Sequence, residues 1–109
     1  MATRSRIGLV NEDRSVTSIY VHWDGHPDTR MPILEKSYSS EDSLKTLLSH
    51  GSISELRDSI TETIFYHRDR SEPLDIRTSR TIEEFFTGAF SMSEEYVYLF
   101  DNNRWIIRS

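Results

Sequence analysis

Apolar and polar positions along this chain switch repeatedly between a strand-like and a helix-like period. Arg6-Ile7-Gly8-Leu9-Val10 reads as a first strand, and Asn11 to Ser15 as a polar turn. Val16 to Trp23 reads as a second strand, with Ile19, Val21 and Trp23 on one face and Tyr20 and His22 on the other. The short connection makes the pair an antiparallel hairpin. Asp24-Gly25-His26-Pro27-Asp28 ends it, because Gly25 tolerates positive φ and Pro27 offers no amide proton.

Helical spacing follows. Residues 31–38 suit a short helix with Pro32 in its first turn. Ser39 or Ser40 caps a helix through Leu44, Leu47 and Leu48, which Gly51 stops. Ser52-x-x-Glu55 has the form of a capping box, with Ile53, Leu56 and Ile60 turned inward on a further helix. Thr63 to His67 is β-branched and aromatic and predicts a strand, followed by a charged loop to Pro73 and a short edge strand over 75–78. Thr81-x-x-Glu84 is another capping box, ahead of the stripe Ile82, Phe85, Phe86 and Ala89. Residues 95–100 and 104–107 flank Asp101-Asn102-Asn103, whose side chains accept the left-handed conformation of a tight hairpin turn. The pattern therefore predicts one α+β domain over residues 1–109: a small antiparallel sheet of about four or five strands, with about three short helices on one face. Trp23, Phe65, Phe85, Phe86, Phe100 and Trp105 are expected in its core. Tyr20, Tyr66, Tyr96 and Tyr98 are expected to line one sheet face.

Composition narrows the chemistry. The 109 residues include no cysteine, which excludes disulfides and thiolate metal sites and fits a reducing cytoplasm. No apolar run approaches the roughly 20 residues of a membrane span, and the N-terminal run from Met1 lacks an apolar signal region. The net charge of −5 disfavours direct nucleic-acid binding. The acid concentrates in two segments, residues 38–66 and 81–109, each with five acidic and two basic groups. Glu41, Asp42, Glu55, Asp58, Glu83 and Glu84 are thus candidates to face a basic partner protein.

Several blocks of the chain, taken in order, resemble a family. They are Thr3-Arg4-Ser5, Ile19-Tyr20-Val21-His22-Trp23-Asp24-Gly25-His26-Pro27, Tyr66-His67-Arg68-Asp69-Arg70, and Tyr98-Leu99-Phe100 with Trp105. Together they resemble a family of small bacteriophage and mobile-element proteins that carry a TRS start, an IYxHWDGYP block, a YHRDR-like block and a YLFxxxxW hairpin. This chain departs at His26, where the pattern has Tyr, and at Ser71-Glu72-Pro73, where Gly is common. The resemblance implies a viral or mobile-element origin and the cytoplasm of a host cell. It implies no particular reaction.

Three constellations carry candidate chemistry. His22, Asp24, His26 and Asp28 alternate like metal ligands, but Gly25 and Pro27 break the strand, so no metal or other cofactor is expected. Tyr20, His22, His67, Arg68 and Arg70 are the candidate ligand-binding residues: two arginines suit a phosphate or carboxylate, and together the five suit a nucleotide-like ligand. His22 and His67 could in principle serve a phosphoesterase or nuclease, although no nucleophile elbow is present and no catalytic residue is assigned. The leading expectation is an accessory protein that acts by binding, as antagonist of a host defence protein. Sequestration of a nucleotide-like signal is the alternative. An open hairpin edge would allow a homodimer as well as a monomer.

Overall fold

The structure is a computed structural model that describes residues 3–109; Met1 and Ala2, the start of the run assessed for a leader, lie outside them. Strands β1 (Ser5–Val10) and β2 (Val16–Val21) form the expected antiparallel hairpin, with Ile7 opposite Ile19. Strands β6 (Tyr96–Asp101) and β7 (Arg104–Arg108) form the second. Its two-residue turn puts both Asn102 and Asn103 at positive φ, 51° and 60°. That geometry matches the twist of the flanking strands.

The sheet is mixed, with seven strands in place of the four or five expected antiparallel ones. With β3 at Ile53–Glu55, β4 at Ile64–Phe65 and β5 at Arg77–Ser79, its main order is β4-β3-β2-β1-β6-β7, and β5 pairs with β2. Two neighbours are parallel: β1 with β6, and β2 with β3. A parallel neighbour needs a crossover, and residues 22–52 supply one through helices α1 (Pro27–Ser37) and α2 (Glu41–Leu48). Strand β2 shares its second edge between two partners. Its start pairs with β5, and its end meets β3. Strand β4 closes the far side.

Among the described residues there are four helices in place of about three, and three of them, α1, α2 and α4 (Ile82–Ser91), pack on the sheet from its two faces. Leu34 of α1 and Leu44, Leu47 and Leu48 of α2 pack on Ile7, Leu9, Ile19, Val21, Tyr98 and Phe100. Helix α4 packs Phe85 and Ala89 on Val16, Val97 and Leu99, which alternate with the first set along the strands. Gly8 makes that second contact possible, because a Cβ there would stand 2.8 Å from the Phe85 ring. The caps Ser40 and Thr81 form as the sequence predicts, each accepting a backbone N–H in the first turn.

Each departure has a specific cause. The Ser52 capping box starts no helix, since Ile53 and Ser54 are drawn into the sheet, where their carbonyls accept from His22 and Trp23 N–H at 2.9 and 3.1 Å. Helix α1 begins at Pro27 instead of near residue 31, leaving Pro32 inside it; His26 is the cap, its Nδ1 accepting from Asp28 N–H. The strand expected over Thr63–His67 ends at Phe65, and Tyr66–Arg70 winds into helix α3, across the expected end of that strand and the start of the charged loop. Asp24 takes the positive φ that Gly25 was expected to take (57°), while Gly25 is needed for space, its Cβ position lying 2.6 Å from the Thr3 carbonyl oxygen. Trp23, expected inward, is 41% exposed because the strand ends at Val21 and the chain turns at Asp24. Phe65, Phe85 and Phe100 are buried as expected, with Phe86 and Trp105 packed at the core margin.

A tyrosine groove beside a buried ion pair

The four tyrosines do not share one face. Register sets Ile7 opposite Tyr98 and Arg6 opposite Tyr20, so Tyr96 and Tyr98 lie on the face that α1 and α2 cover. Tyr98 is fully buried there and donates its hydroxyl hydrogen to the Gly25 carbonyl. Burial pushes its phenol pKa well up. Arg30 of α1 is also fully buried, donating from Nη2 to the carbonyls of Trp23 and Asp24 at 2.6 and 2.9 Å. It thereby fixes the turn after β2, and burial lowers its pKa to about 10.

On the opposite face, α4 covers only part of the sheet. Beyond it stand Arg6, Ser18, Tyr20 and His22. The Arg6 Nε donates to both Glu94 carboxylate oxygens, at 2.7 and 3.0 Å, and Nη1 donates to Ser18 Oγ at 3.2 Å. Both ionic groups are almost completely buried. Burial lowers the Arg6 pKa and the Glu94 carboxylate opposes that shift. Tyr20 is the cross-strand neighbour of Arg6 and remains half-buried. Burial raises its phenol pKa against the pull of Arg4.

Tyr66 completes the array from α3. Its hydroxyl lies 2.8 Å from His22 Nδ1. His22 in turn stacks on Trp23, with ring centroids 4.6 Å apart and planes 8° from parallel. The Arg70 guanidinium lies 5.2 Å from the Tyr66 ring centre. Tyr20 and Tyr66, with Ser52, Glu72, Pro73, Leu74 and Asp75, line an open groove of about 520 Å³. Ser52 Oγ stands 3.5 Å from Asp75 Oδ2. The groove is thus lined by two aromatic residues, the apolar Pro73 and Leu74, and the acidic Glu72 and Asp75.

The five predicted ligand residues separate. Tyr20 lines the groove, while His22 and Arg70 adjoin it through Tyr66. His67 is exposed, with Nδ1 2.8 Å from the Glu72 carbonyl oxygen. Arg68 is engaged elsewhere: it donates to the carbonyls of Ile60 and Thr63 and to Asp69, and its guanidinium packs over Phe65. It holds the β4–α3 corner, so the two arginines do not form a common anion fork. The six acidic candidates do not form one patch either. Glu41 and Asp42 start α2, Glu83 and Glu84 start α4 on the opposite face, and Glu55 and Asp58 pair with Arg57 and Lys36. The alternating His22, Asp24, His26 and Asp28 do not converge as a set: His22 turns to Tyr66, while His26 caps α1 with its Nδ1 3.7 Å from Asp28 Oδ2. Among the described residues, no group of three or more His, Asp or Glu side chains could hold a metal, and no helix is long and apolar enough to cross a membrane.

Glu72, Leu74 and Asp75 of the groove were absent from the sequence-based set. Glu72 falls in the segment read as a charged loop and Asp75 in the expected edge strand, which begins only at Arg77; the Glu72 N–H bond to the Tyr66 carbonyl and the β2–β5 pairing bring both to the groove. Comparison with known protein families, characterised proteins and solved structures returned no match.

Proposed function

We propose that this protein acts by binding, and that its Tyr20–Tyr66 groove receives a basic side chain of a partner protein. The observation that carries the reading is the groove's composition: two tyrosines, with Glu72 and Asp75, around one open volume of about 520 Å³. A guanidinium or ammonium group gains from aromatic faces and from carboxylates together. Tyrosine also provides large contact area at low entropic cost and is enriched at interfaces. The same carboxylates work against a phosphate, so they favour the partner-protein reading over a nucleotide-like ligand. The net charge of −5 assists encounter with a basic partner. The resemblance to bacteriophage and mobile-element proteins supports a host protein, a defence component, as that partner.

Affinity capture from host lysate tests the reading when wild-type protein is compared with the Tyr20→Ala/Tyr66→Ala variant. The expected result is a partner retained by the wild type at low salt, weakened at high salt and lost with the variant. Equal recovery on both baits would move the interface elsewhere. A thermal shift with nucleotides that Arg70→Ala abolishes would instead favour the nucleotide-like ligand.

A further inference from the structure

Strand β7 ends the sheet on the side away from the groove. Among the described residues it pairs only with β6. The Asn102-Asn103 turn makes Asp101 and Arg104 the closing pair of the hairpin, and ladder bonds then recur at Leu99–Ile106 and Val97–Arg108. The backbone groups of Trp105 and Ile107 therefore point away from β6, toward the free edge. Ile106 and Ile107 are 37% and 38% exposed. Such an edge is a template for one more strand.

Charge selects the occupant. Arg104 and Arg108 flank Ile106 on one face, and neither forms an ion pair among the described residues. Arg108 lies over the Phe86 ring at 5.5 Å. An antiparallel second copy that overlapped the whole strand would set Arg104 opposite Arg108, a like-charge cross-strand pair. A strand with acidic residues four apart, flanking an apolar one, would place a carboxylate opposite each arginine. That spacing reads the same in both directions, so either strand polarity satisfies it.

We infer that the β7 edge accepts an extended acidic segment of a partner protein by strand addition, on a surface separate from the tyrosine groove. The probe is a fluorescein-labelled peptide containing Glu-Val-Val-Val-Glu, compared with its Lys-Val-Val-Val-Lys counterpart in fluorescence anisotropy with the full chain. The expected result is binding of the Glu peptide at least tenfold tighter at low salt. Ile107→Pro should abolish it, since proline removes an outward N–H while leaving the bonds to β6. If circular dichroism shows that Ile107→Pro does not fold, the Arg104→Glu/Arg108→Glu variant decides, and it should reverse the preference between the peptides. Equal binding of both peptides, no binding of the Glu peptide, or binding that persists in folded Ile107→Pro would overturn the inference. So would dimerisation through this edge in sedimentation equilibrium, because a second copy would then be its occupant.

Discussion

Arg6 and Glu94 join the first strand to the residues just before the sixth, 88 positions apart in sequence. Their worth is asymmetric. A buried pair gains little over apolar residues of the same size, because both ions were removed from water. Removing one partner leaves the other charged, dry and unpaired. Glu94→Ala should therefore cost about 3–5 kcal/mol, read as a lower urea midpoint. Arg6→Met/Glu94→Leu should recover most of that loss. A single variant as stable as the wild type would show that water reaches the pair. The pair also lies beside Tyr20, so the double variant tests whether the groove needs its charge or only its packing.

At the scale of elements, the β4–α3 corner relies on Asp69. Its carboxylate accepts from the Phe65 N–H at 2.8 Å and from Arg68. The Arg68 bond and then the backbone bond hold its pKa below the ordinary aspartate value. A depressed carboxyl pKa stabilises the fold above the unfolded value of about 3.9, and that stability is lost as pH falls through the lower folded value. Asp69→Asn should therefore lose its destabilisation relative to wild type as pH falls through that window, in urea unfolding measured from neutral pH to pH 2. A constant difference between the two proteins across the window would contradict this.

Sequence legibility followed the locality of the cause. The two hairpins, the Ser40 and Thr81 caps and the stripe of α4 depend on neighbouring residues, and the alternation and spacing show them directly. Ile53 lies beyond that reach. Its spacing with Leu56 and Ile60 suits a helix, and only the unpaired end of β2 makes it a strand. Tyr98 shows the same limit: alternation gives it a face, but which face depends on its parallel register with β1. In the candidate site, Tyr20 and His22 were legible from strand parity. Glu72 and Asp75 were not, because their place beside Tyr20 depends on how α3 ends and on the β2–β5 pairing that follows.

Across the whole molecule, the sheet separates two surfaces of unlike charge. The groove carries carboxylates beside β2, whereas the β7 edge, beyond β1 and β6, carries two arginines. A binding protein with both could hold two segments of one partner or two different partners. The central claim concerns the groove, and a small basic probe tests it without knowledge of the partner. N-acetylargininamide titrated into the labelled protein should shift the backbone amide NMR signals of Tyr20, Ser52, Tyr66 and Asp75 in a saturable way. N-acetylglutaminamide should not, and Asp75→Asn should weaken the response. Shifts absent from these four residues, or identical with both probes, would contradict a groove built for a cationic side chain.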